Sequence, residues 1–215
     1  MMRCILDSIS KRFSRDWVLR NIQLEIEQGE RVALLGSNGS GKSTLLKIIA
    51  GQLSPSKGET NHFLEGKEVP IENVYRHLSF VAPYIDVYRQ LTFKELIELH
   101  FSLRPQRAGY SISQVLESIN VPSDKQLNSF SSGMIQRVKL TLALSTQSEL
   151  ILLDEPTMNL DEEGVAWFLH RLDSIPNEST VIIASNVPAR ETQICNSYYR
   201  LNDAELTRIT SEQVI

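Results

Sequence analysis

The spacing of hydrophobic positions changes several times along the chain, and each change marks an expected element. Ile22, Leu24 and Ile26 alternate with polar neighbours, as in a strand with one wet face. Gln28-Gly29 offers a turn, and Val32-Ala33-Leu34-Leu35 is the unbroken apolar run of a strand buried on both faces. Residues 1–35 therefore read as strands. From Ser43 the pattern becomes that of a helix, which stops at Gly51, where a left-handed residue costs glycine little. A looser segment holding Pro55, Gly58 and Gly66 follows, and Leu78–Val81 is one more short apolar run, before Pro83.

Beyond Pro83 the texture changes. Thr92 with Glu95 and Ser111 with Gln114 have capping-box spacing, and the second pair opens a helical stripe at Ile112, Val115, Leu116 and Ile119. Residues 84 to about 145 thus predict a mostly helical lobe. Strand pattern returns in Leu150–Leu153 and Thr180–Ala184, with an amphipathic helix marked by Val165, Phe168, Leu169 and Leu172 between them. Apolar strands alternating with helices imply an α/β fold: a mostly parallel sheet covered on both faces, with the helical lobe inserted into it. No internal repeat or low-complexity tract appears.

Two stretches at expected strand ends carry chemistry. GSNGSGKS, residues 36–43, fills the pattern G-x-x-x-x-G-K-[ST] between an expected strand and an expected helix. Gly36, Gly39 and Gly41 let backbone N–H groups converge on phosphate oxygens, with Ser37, Asn38 and Ser40 between them, and the helix opening at Ser43 and Thr44 turns its positive end to the same anion. Lys42 reaches the outer phosphates and Ser43 offers a hydroxyl to Mg²⁺. The alternative, a glycine turn without a ligand, does not call for that strand and helix. LILLDEP, residues 150–156, ends a buried strand in two acids, which must point at something that offsets their desolvation. Asp154 suits the metal and Glu155 suits the attacking water, as general base. Capping of the next segment is the plainer use of both acids.

Composition narrows the partners. The 215 residues are 41% hydrophobic and 22% charged, ordinary for a folded domain. Formal net charge is −4, so no overall basic field attracts nucleic acid or an anionic membrane. Cys4 and Cys195 stand far apart without metal-ligand spacing and read as free buried thiols. MMRCILDSIS alternates like a strand rather than a signal peptide, and no apolar window reaches membrane-spanning length.

With FSSGMIQR at residues 130–137, these motifs resemble the nucleotide-binding subunits of ATP-binding cassette transporters, along essentially the whole chain. GSNGSGKST resembles the family's Walker A loop, ILLDEP its Walker B strand, MNLD (158–161) its D-loop and FSSGM its signature, usually written LSGGQ. The resemblance implies a P-loop NTPase core of residues 1–82 and about 146–215, with an antiparallel β subdomain on the N-terminal side and a helical subdomain at about 83–145. It implies ATP and Mg²⁺ as cofactors and a second cassette subunit, a homodimer partner, whose ATP is covered by Ser131 and Gly133 of this chain and contacted by Asp161. An ordinary serine N-cap at Ser131 is compatible with that role. Phe13 stands where an aromatic stacks on adenine, with Trp17 as competitor and core packing as the plainer role for Phe13.

Two positions depart from the family pattern. The glutamine expected near residue 83 is replaced by the stretch FVAPYIDV, with Gln90 seven positions late, and the switch histidine is replaced by Asn186. Asn186 can donate to a γ-phosphate, or cap the turn into Val187-Pro188. His62, His77, His100 and His170 read as surface or packing residues. The implied activity is ATP hydrolysis on the cytoplasmic face of a membrane, driving a separate transmembrane permease, with no nucleic-acid partner and no room for a regulatory domain after the cassette. A soluble cassette ATPase and a slow nucleotide-dependent regulator are the alternatives.

Overall fold

The computed structural model describes residues 2–109, 111–119, 121–187 and 191–214. Among the described residues, ten strands form two sheets. β1 (Met2–Phe13), β2 (Asp16–Ile26), β4 (Lys57–Leu64) and β5 (Lys67–Val69) make an antiparallel sheet in the order β2-β1-β4-β5. β3 (Arg31–Leu35), β6 (Leu78–Val81), β7 (Leu150–Asp154), β8 (Thr180–Ser185), β9 (Ser197–Asn202) and β10 (Glu205–Ile209) make the second, in the order β10-β9-β3-β8-β7-β6. All its pairings are parallel except the β9–β10 hairpin at one edge.

Three apolar cores explain the layers. On β3, Val32 and Leu34 face the antiparallel sheet and helix α1 (Lys42–Ile49), while Ala33 and Leu35 face α4 (Ser132–Ser145) and α5 (Glu162–Asp173). β7 divides in the same way, Leu150 and Leu152 against Ile151 and Leu153. That two-sided burial is why these strands are apolar throughout, each such side chain contributing roughly 1.5–3 kcal/mol. A third core joins α2 (Phe93–Leu103), α3 (Ile112–Glu117) and the start of α4 around Phe93, Ile97, Val115 and Val138.

Several expectations are met residue by residue. α1 ends at Ile49, and its C-cap Ala50 is followed by Gly51, which is left-handed at φ 70°. Both capping boxes form, at Thr92–Glu95 and Ser111–Gln114. Cys4 and Cys195 are free, and burial pushes both thiols up to about 12. The loose segment after Gly51, however, holds β4 and β5, which continue the antiparallel sheet. KGETNHFL buries only His62 fully and lacks the alternation that identifies a strand; pairing with β1 decides it. Among the described residues no helix is long and apolar enough to cross a membrane.

Candidate active site

Parallel strands deliver the chemistry to one edge. Register pairs Leu35 with Ser185 and Asp154 with Ala184, so the carboxyl ends of β3, β8 and β7 lie side by side. The glycine loop, Asn186 and the Asp154-Glu155 pair follow these three ends. Ligands of open α/β sheets bind at such strand ends. Here they border a cavity of about 830 Å³.

Of the residues singled out in the sequence, Asn38, Gly39, Gly41, Lys42, Ser43 and Thr44 line this cavity from the loop and α1. Glu155 and Asn186 face it from the strand ends, and Phe13 from the β1–β2 hairpin. Phe13 is 48% exposed, which excludes core packing. Trp17 lies in a separate depression behind the loop with Ser37 and Ser40, its ring flanked by Arg12 and Lys57. Gly36 shapes the loop's start, where an added Cβ would meet Leu201 O at 2.5 Å.

Lys42 is 5% exposed; its Nζ donates to the carbonyls of Gly36 (2.8 Å) and Ser37 (3.0 Å) and stands 3.7 Å from Glu155 Oε1. The ammonium is thus held over the loop by neutral acceptors and one carboxylate. Asp154 is 1% exposed, and neither oxygen meets hydrogen-bond geometry with any described group. Burial pushes its carboxyl above the ordinary range, opposed by the nearby Ser43 hydroxyl and by Lys42 and Lys47. A buried, unpaired carboxylate beside a serine hydroxyl is costly alone and fits a divalent cation. No cluster of three His, Cys, Asp or Glu side chains occurs among the described residues, so such an ion would rest on Ser43, Asp154 and ligand oxygens. Glu155 is also raised, by burial first and by Glu191 and Asp154, with Lys42 opposing.

Ser131, Gly133 and Asp161 lie apart, around a second depression of about 390 Å³. Ser131 caps α4, accepting from the Met134 N–H at 3.2 Å. Gly133 is required by close approach, since a Cβ there would come within 2.7 Å of Asn159 O. Asp161 caps α5 through the Gly164 N–H (2.8 Å) and pairs with Arg137 (3.1 Å). These three do not border the cavity that holds Lys42 in the same chain.

The family model described as "ABC transporter" matches residues 19–158. The chain belongs to this family. It is 37% identical over 178 residues to a zinc import ATP-binding protein of Aliivibrio fischeri, covering 81% of this chain and 68% of that one. It is 35% identical over 187 residues to a sulfate/thiosulfate import ATP-binding protein of Synechococcus elongatus, covering 83% and 54%. The chain spans little more than half the length of several curated ABC relatives that it matches. A solved ATP-binding subunit of an ABC transporter shares the fold at TM-score 0.80 and 22% identity, covering 98% and 90%.

The two departures from the ABC pattern have definite places. Pro83 lines the cavity, whereas Gln90 is exposed in a loop and does not border it. Asn186 Nδ2 donates to Asn38 Oδ1 at 2.7 Å, tying the end of β8 to the phosphate loop. The turn role of Asn186 involves Pro188, which lies outside the described residues. Thr157 and Glu191, which line the cavity, were not singled out in the sequence: the polar segment around Glu191 carries no motif.

Proposed function

We propose that this chain binds ATP with Mg²⁺ and hydrolyses it, as the ATP-binding subunit of an ABC transporter that pairs with a second copy of itself and drives a separate permease at the cytoplasmic face of a membrane. The observation that carries this reading is the convergence of Lys42, Ser43 and Glu155 on one cavity at the ends of parallel strands, with Asp154 buried next to Ser43 and Lys42. Phe13 stacks on the base. The loop N–H groups from Gly36 to Thr44 and the start of α1 hold the phosphates, and Lys42 shifts from its carbonyl partners to the outer phosphates. Ser43 and Asp154 would hold Mg²⁺, which would supply charge stabilisation to the transferring phosphoryl group. Glu155 takes the proton of the attacking water, and burial, by raising its carboxyl above the ordinary range, strengthens it as a base. Asn186 donates to the γ-phosphate.

Ser131, Gly133 and Asp161 serve the partner's nucleotide, a role supported by their position away from this chain's own cavity. The helical lobe, residues 83–145, carries the docking surface for the permease; its separate core supports that division. The test is phosphate release from the purified chain with ATP and Mg²⁺, alone and with the membrane protein that co-purifies with it. Turnover that disappears in Glu155→Gln supports the reading. Absence of turnover in both preparations favours a nucleotide-dependent regulator.

A further inference from the structure

Glu191 belongs to none of the motifs, yet its carboxylate is tied to the turn that carries Glu155. It is 3% exposed and lines the same cavity. One oxygen, Oε1, accepts the Thr157 backbone N–H at 2.8 Å and also a short hydrogen bond from the Thr157 hydroxyl. The other, Oε2, is buried with no hydrogen-bond partner among the described residues. Burying a carboxylate that uses only half of its accepting capacity opposes folding, so its place beside Thr157 calls for a functional return.

The turn needs holding. Glu155 has left-handed backbone, φ 51°, which is uncommon for a residue with a Cβ and persists only where surroundings impose it. Three contacts impose it here. The Glu155 N–H donates to Ala184 O at 2.9 Å, Gln136 Nε2 donates to Pro156 O at 2.7 Å, and Thr157 donates twice to Glu191. The first anchors the turn to β8 and the second to α4. The third ties it to the segment beyond Asn186, across the cavity mouth.

We propose that Glu191 is a positioning residue for hydrolysis, pinning Thr157 so that the Glu155 carboxylate is aimed at the water beside the outer phosphate. This rests on the reading of Glu155 as the base. The effect runs through geometry: a slack turn lets Glu155 adopt other directions, and misplacement of about 1 Å costs up to roughly 10²-fold in rate. Nucleotide affinity depends on the glycine loop and Lys42, which Glu191 does not touch.

Two variants of the full chain separate this role from simple packing. Glu191→Ala removes the acceptor, whereas Glu191→Gln keeps a carbonyl oxygen for Thr157 without the charge. Glu191→Ala is expected to lower kcat about 10- to 100-fold with KM for ATP little changed, and Glu191→Gln to recover most of the loss. Hydrogen exchange supplies a readout independent of activity: the Thr157 amide exchanges at least about tenfold faster in Glu191→Ala, is protected in Glu191→Gln, and β7 amides are unaltered in both. Parental kcat in Glu191→Ala, equal defects in both variants, or an unchanged Thr157 amide overturns the proposal. If Glu191→Ala does not fold, Thr157→Val, which keeps the backbone donor but loses the hydroxyl, decides: lowered kcat at parental KM supports it, and parental kcat overturns it. Turnover that ignores Glu191 overturns this inference alone, whereas a parent chain without turnover overturns the hydrolysis reading on which it rests.

Discussion

Asp154 and Glu155 both have carboxyls pushed above the ordinary range by burial, with Lys42 pulling each back, but their surroundings assign them different work. Asp154 is sealed and unpaired, the condition a cation relieves; Glu155 is partly exposed to the cavity on a left-handed backbone. Glu155→Gln is expected to slow ATP turnover roughly 10²- to 10⁴-fold while nucleotide affinity, read by titration of a fluorescent ATP analogue, is retained. Parental turnover would reassign the base. Asn186 shows where residue-scale reading stops. Its amide was expected to aim at a phosphate, yet one N–H is bonded to Asn38. Among the described residues the other has no protein acceptor, so Asn186→Ala is expected to cost about 10²- to 10³-fold in turnover, the effect of removing one transition-state donor. A folded Asn186→Ala protein at the parental rate makes this residue a tie between β8 and the glycine loop, and nothing more.

At the scale of elements, the helical lobe is held by local devices that can be tested singly. Thr92 accepts from the Glu95 N–H at 3.2 Å while Glu95 accepts from the Thr92 N–H at 2.8 Å. Thr92→Ala is expected to destabilise the protein by about 1 kcal/mol, read from denaturant midpoints at constant slope. α2 also meets the end of α4 through His100. The Thr146 hydroxyl donates to Leu142 O at 2.6 Å, so His100 Nε2, 2.8 Å away, is the donor to that hydroxyl. Burial, aided by Arg104, lowers the His100 imidazole from 6.5 to about 4. The unfolded chain therefore binds a proton that the folded chain refuses, and the His100 contribution is full above about pH 6.5 and lost progressively as pH falls towards 4. His100→Gln is expected to flatten that part of the melting-temperature profile; an unaltered slope would place the acid sensitivity elsewhere, at His62 or the carboxylates. Elements with strong periodicity or caps were legible from the residues alone, down to both capping boxes. β4 and β9 were not. The burial of β9 depends on lying parallel to β3, a partner far away in sequence.

Over the whole molecule, the depressions that hold Lys42 and Ser131 are separate, and in the proposed function a complete site takes one from each of two chains facing one another. Glu155→Gln with ATP and Mg²⁺ is expected to sediment as a dimer where the nucleotide-free chain is a monomer, and Gly133→Ala in that background to weaken the pair, because its Cβ displaces Asn159. A monomer under every nucleotide condition, even when tethered to raise local concentration, would count against a shared site. The loop between β6 and α2, at the start of the helical lobe, places Tyr88 in solvent, 69% exposed, while the Tyr84 ring covers Lys47 Nζ at 3.8 Å. Tyr88→Ala should therefore impair permease-coupled transport and spare basal hydrolysis. Tyr84→Ala, which frees a lysine that acts on Asp154, should alter hydrolysis as well. Equal effects of the two on basal hydrolysis would argue against docking at Tyr88.

The phosphate loop and the paired acids at a strand end were legible in the residues because each is a short local motif, and the parallel α/β class and helical insertion because the order of locally patterned elements along the chain implies them. Tertiary structure alone decided the rest. It set Phe13 rather than Trp17 at the cavity, because the folded hairpin leaves Phe13 on the cavity lining and holds the Trp17 ring between Arg12 and Lys57. It left Asp154 without a partner, since that is a property of everything packed around it. It also joined Glu191 to Thr157 across 34 positions of chain, a contact that no local pattern encodes because its two halves meet only when β7 and β8 lie side by side.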